Sequence, residues 1–127
     1  MNRPLAGVMI ANAALFVFGA VQHAGLALGP FHEPTIIPAA VVETTCALAL
    51  VWGAAAILRS STKGWRTALL GNFIAFAGVL LGIAALAAGR GPRTASNDLY
   101  HRIMLVLIAV SVAILLVWRS RRGPGSG

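Results

Sequence analysis

Four long apolar runs alternate with short polar connectors along the chain, at about residues 5–28, 36–58, 67–88 and 98–118. Each run is about 20 residues or slightly more, enough at about 1.5 Å per residue to cross a hydrocarbon core roughly 30 Å thick. Asn12, Gln22 and His23 interrupt the first run, and Glu43, Thr44 and Thr45 the second. The third carries Gly71, Ala75, Gly78, Gly82, Ala85 and Gly89, whose spacing of three and four places them on one helix face. In lipid such a small-residue stripe lets backbones approach closely, so it reads as a packing face rather than a site. The pattern predicts an all-α fold: one four-helix transmembrane bundle over residues 1–118, then a basic, flexible tail at 119–127.

The connectors agree with this division. In GPFHEPT, Pro30 and Pro34 flank Phe31, His32 and Glu33 and stop the first helix. Thr35 suits an N-cap, and Pro38 falls in the first turn of the next helix, where a missing N–H is tolerated. RSSTKGWR (59–66) is a basic turn, and GRGPRTASN (89–97) is a glycine- and proline-containing loop. The first run with Arg3 in front resembles a signal peptide, but its apolar part is too long for a typical h-region. It is read as a retained span.

Composition turns this pattern into a membrane assignment. Of the 127 residues, 58% are hydrophobic and 10% charged, more apolar surface than one water-soluble core of this size can hide. The formal charge of +7 does not point to nucleic acid, because the cations sit in short clusters between apolar runs with no aromatic-lined basic groove. Arg3, Arg59, Lys63, Arg66, Arg119, Arg121 and Arg122 share the side of both termini, against Arg90, Arg93 and Arg102 on the other. That bias predicts cytoplasmic termini, in a prokaryotic plasma membrane. Trp65 and Trp118 would anchor the cytoplasmic interface, with Phe31 and Tyr100 near the opposite one. The single Cys46 excludes an intramolecular disulfide.

With that topology, all three acids (Glu33, Glu43, Asp98) and all three histidines (His23, His32, His101) fall in the extracytoplasmic half or its loops. Glu43 would lie roughly 6 Å from the bilayer centre, and His23, His101 and Arg102 about 9 to 11 Å out. An ionised carboxylate at that depth costs several kcal/mol unless paired or protonated, so Glu43 should face the interior and find a partner. Arg102 or a histidine would serve in a structural pair; binding or proton transfer is the functional reading. Asp98, His101 and Arg102 share a helix face, although Asp98 also suits a first-turn position favoured by the helix dipole. His32 and Glu33 read as solvated loop residues or a lid. Asn12 and Asn72 read as packing hydrogen bonds, and Cys46 as a small apolar filler.

His23, Glu43 and His101 together have the chemistry to bind a transition metal, and two histidines on facing helices to hold haem. The same groups suit hydrogen bonding to a quinone and transfer of its protons. A buried glutamate also suits exchange of a proton for a cationic cargo. No HxxxH, CxxC or phosphate-loop spacing selects among them.

FGAVQHA with Gly19 and His23, HEPTIIP with Pro34 and Pro38, and VVETTCALALVWG with Glu43 resemble the pattern of the small four-span DoxX-like membrane proteins. The resemblance covers about the first half of the chain. The NDLYHR segment lies outside it, so roles for His101 and Arg102 rest on physical reasoning alone. The resemblance implies a redox-associated membrane subunit of a kind linked to quinone-coupled sulfur oxidation and thiol redox balance. A lone cysteine does not suit thiol exchange by this chain unaided.

Three readings follow. The first is a redox-associated membrane protein whose extracytoplasmic pocket, lined by His23, Glu43 and His101 with Arg102 as counter-charge, binds a quinone, haem or metal. The second is a proton-coupled exporter using Glu43. The third is an accessory subunit that docks into a larger membrane complex through the third helix's small-residue stripe. All three place the chain in a lipid bilayer, as a homo-oligomer or part of a larger complex.

Overall fold

The structure, a computed structural model, describes residues 2–28, 33–59 and 63–121. It has four helices, α1 (Asn2–His23), α2 (Ile37–Arg59), α3 (Gly64–Ala87) and α4 (Ala95–Ser120). Each is long and apolar enough to cross a membrane. Neighbours in sequence pack together and α4 returns to α1, the thinnest of the four seams, so the helices run up and down around a ring. One end of the bundle carries the termini and the α2–α3 turn. The other carries the α1–α2 and α3–α4 connectors and is called the connector end below.

Helix α1 stops at His23, five residues before its apolar run ends. Gly25 adopts φ 91°, and the amides of Gly25 and Leu26 return to the carbonyls of Gln22 and Val21 at 2.9 and 3.2 Å. This is a Schellman ending, which satisfies carbonyls that would otherwise be orphaned and needs a residue tolerant of positive φ. Helix α3 ends in the same way. Gly89 has φ 70°, and Gly89 and Arg90 donate to Leu86 and Ala85 at 3.1 and 2.8 Å. Helix α2 begins at Ile37, after the expected Thr35. The Thr35 hydroxyl instead lies against Gly25, where an added Cβ would come within 2.6 Å of it. Thr94 caps α4 by accepting from the Asn97 amide at 3.1 Å.

The largest fully buried side chains include Met9, Leu50, Ile57, Met104, Ile108 and Leu115. They fill the middle of the bundle and its terminal end. Large apolar residues such as Val17, Leu48, Leu81 and Val106 are exposed on all four helices, as required where lipid is the solvent. Thr44 and Thr45, on the exposed side of α2, return their hydroxyls to the carbonyls of Ala40 and Val41 at 2.7 and 2.9 Å. Trp65 donates from its indole N–H to the Leu115 carbonyl at 3.1 Å, and the Arg119 guanidinium lies 5.5 Å from its ring centroid. Trp118, expected as an interfacial anchor, is buried in the core instead.

The small-residue stripe of α3 is used within the chain. A Cβ on Gly71 would run into the Ala49 carbonyl of α2, one on Gly78 into Cys46 Sγ, and one on Gly82 into His101 Nε2 of α4. These positions are therefore spent on α2 and α4, which corrects the expectation that they form a docking face for another chain. Gly71→Leu should cost about 1–3 kcal/mol or more, because the backbone of α2 cannot yield to the added side chain. Gly7→Leu, where nothing lies within 4 Å of a Cβ, should leave the thermal unfolding midpoint in detergent unchanged. Equal midpoints for the two variants would contradict the packing.

Candidate functional site

The site begins with how α1 ends. Because the chain turns at Gly25, His23 is the last helical residue, and the Ile36 amide donates to its carbonyl at 2.8 Å. This clamps the start of α2 against the end of α1. Glu43, about two turns into α2, then meets the imidazole, with Nδ1 and Oε2 2.8 Å apart. Both residues are buried, at 3% and 6% exposure. The partner a buried carboxylate needs is therefore a histidine. Arg102 does not serve. It is exposed, and no ion pair joins it to Glu43.

Two more residues complete the surroundings of Glu43. Gly19 lies one turn before His23, and a Cβ there would come within 2.5 Å of the Tyr100 hydroxyl and 2.6 Å of Glu43 Oε1. The missing side chain is thus the notch in which the phenol and the carboxylate face each other. Tyr100, expected near the membrane interface, points its hydroxyl inward and comes 3.4 Å from the Leu15 carbonyl.

On the other side of the pair is a cavity of about 400 Å³ between α2, α3 and α4. Its walls are mostly apolar, with Ile36, Val42, Leu81 and Leu86, and they include His23, Glu43, Asn97 and His101 with Arg90. His101 donates from Nδ1 to the Asn97 carbonyl at 2.9 Å, since a carbonyl can only accept. Its Nε2 lies against Gly82 of α3. Two buried atoms of cavity-lining residues, His23 Nε2 and Asn97 Oδ1, have no hydrogen-bond partner within the protein. Unpaired groups of this kind are costly in an apolar interior.

The other sequence candidates fall elsewhere. Asp98 and Arg102 line a smaller cavity of about 130 Å³ with Arg93, separated from the larger one by His101, which borders both. Asp98 lies 3.7 Å from Arg93, an exposed pair of small energetic weight. Glu33, read as solvated, is buried at 7% exposure. Its carboxylate accepts from Thr94 Oγ1 at 2.9 Å and from Ser96 Oγ, so it clasps the α1–α2 connector to the first turn of α4. An acid there also favours the positive end of the helix dipole. His32, the other suggested lid residue, lies outside the described residues. Asn72 donates within its own helix, to the Ala68 carbonyl at 2.9 Å, while the amide nitrogen of Asn12 has no partner. Cys46 is buried against Gly78.

Three site residues lacked a sequence signal strong enough to single them out. Arg90 follows the Schellman glycine, Asn97 is set by the Thr94 cap, and Tyr100 is aimed by the notch at Gly19. Among the described residues no three His, Cys, Asp or Glu side chains come together as a metal ion would need. The metal set suggested from the sequence, His23, Glu43 and His101, is therefore not assembled as one ligand cluster.

No protein-family model, no curated protein and no solved structure matches this chain. The function is therefore argued from the site itself.

Removing the carboxylate should expose the imbalance directly. Glu43→Leu leaves His23 Nδ1 buried without a partner and should cost about 1–3 kcal/mol. Glu43→Gln, which keeps an acceptor at the same place, should cost clearly less. Denaturant unfolding in detergent measures both, and the reverse order would contradict the pairing.

Proposed function

We propose that this protein is a membrane pocket for a small, mostly apolar molecule with hydrogen-bonding oxygens, of the quinone class. His23 and Glu43 would carry its protons. One observation carries the reading: a cavity of quinone-headgroup dimensions sits against a buried carboxylate–imidazole pair whose outer nitrogen is unpartnered. The apolar walls suit a ring and its substituents. The hydrogen bond between Nδ1 and Oε2 would spread over both groups the unit of charge that gaining or losing a proton leaves in the membrane interior. His101, Asn97 and Arg90 would orient the oxygens. A redox-associated role of DoxX-like type, with the connector end extracytoplasmic, is consistent with this chemistry.

The buried carboxylate bordering a cavity also favours a second reading, proton-coupled transport, in which Glu43 releases its proton as cargo enters. The two readings separate experimentally. Protein purified in mild detergent and extracted with organic solvent should yield near-stoichiometric quinone. His23→Leu should lower the quinone content roughly tenfold, a loss of about 1.4 kcal/mol. Quinone at trace levels in both proteins would remove the first reading. Proton-driven uptake of a cation into vesicles that is abolished by Glu43→Gln would establish the second.

A further inference from the structure

We infer that the terminal end of the bundle carries a site for the headgroup of an anionic phospholipid. A cavity of about 300 Å³ opens there, at the opposite end from His23 and Glu43, and Lys63, Trp65, Arg66 and Arg119 line it. Three of these four side chains are cationic. The chain's three acids, Glu33, Glu43 and Asp98, all belong to the connector half of the bundle. Neither Arg66 nor Arg119 has an ion-pair partner among the described residues. The cavity is also held in shape. Trp65 donates its indole N–H to the Leu115 carbonyl at 3.1 Å, which ties the first turn of α3 to the last turns of α4. The Arg119 guanidinium, one turn further along α4, lies over the same ring at 5.5 Å from its centroid. That contact draws on the ring's π-face and leaves the N–H donors of the guanidinium for oxygen acceptors.

A helix N-terminus is where acids belong, because the macrodipole and the unpaired first amides both favour negative charge. Helix α3 reverses that rule. Its first turn has no acid, Lys63 stands at the N-cap without a side-chain cap bond, and Arg66 follows three residues later. The positive end of a dipole and three cations thus surround one cavity, to which the protein brings no acidic side chain. An anion from outside relieves this arrangement. The depth of the cavity selects the source. Helix α3 has 24 residues, so at about 1.5 Å each it is about 36 Å long, longer than a hydrocarbon core of roughly 30 Å. Its ends therefore reach the layer where lipid phosphates lie. A phosphodiester suits the fork of a guanidinium. A zwitterionic headgroup would bring its own cation against these three, so a headgroup of net negative charge fits best.

The test offers the unaltered protein, in mild detergent, equimolar phosphatidylglycerol and phosphatidylcholine with identical acyl chains, and counts the retained lipids by native mass spectrometry. Phosphatidylglycerol should be retained in preference by roughly tenfold or more. Arg119→Gln should reduce that preference by roughly threefold or more. Arg59→Gln, which removes a charge from the same end but outside the cavity lining, should leave it nearly unchanged. Equal retention of the two lipids by the unaltered protein overturns the site. So does an equal loss from Arg59→Gln and Arg119→Gln, which marks general attraction to a basic end. The bound lipid should persist in millimolar inorganic phosphate, and its displacement there overturns the lipid as occupant in favour of the free anion.

Discussion

The structure turns on one electrostatic constraint: a carboxylate placed inside a lipid-spanning bundle must be neutralised or paired where it stands. Glu43 meets that constraint through His23, at 2.8 Å, and the contact requires much of the connector-end geometry. Helix α1 must end at the imidazole rather than run on, which Gly25 secures by taking a left-handed conformation. Helix α2 must start close by, which the amide of Ile36 secures by binding the His23 carbonyl. Position 19 must lack a side chain, because the phenol of Tyr100 and the second carboxylate oxygen lie against that space. The residues of the site are scattered in sequence, but they answer one requirement.

The bundle divides its labour along its length. Large apolar side chains fill the middle and the terminal end, where Met9, Ile57 and Leu115 are fully buried. Towards the connector end the interior holds polar groups and open space. Packing energy that would come from filling this region is given up there, and the Glu33 contacts to Thr94 and Ser96 tie the rim together instead. Such an arrangement concentrates stability away from the cavity.

How much of this was legible in the sequence depends on which physical signal each feature leaves. Span number and class were plain, because hydrocarbon thickness imposes a length that apolar runs report directly. The need of Glu43 for an interior partner was also plain, since it follows from depth alone. Which partner it takes depends on the rotation of each helix about its axis, and the hydropathy of a span that is apolar all round does not report that rotation. Arg102 and His101 are adjacent in sequence, yet one is exposed and the other borders the cavity. The early end of α1 was hidden by the apolar residues Leu26 and Leu28 that continue past Gly25. The burial of Glu33 was hidden because a loop acid looks solvated until the path of the loop is known.

The α3 wall of the cavity is built from Gly78, Gly82 and Ala85, with Leu81 and Leu86 beside them. A surface made largely of main chain has no rotamers with which to close over a gap. Under the proposed binding role, recognition at such a wall would work as shape selection. A flat ring can lie against it, whereas a bulkier or branched headgroup would have to force apart helices that these glycines allow to sit close.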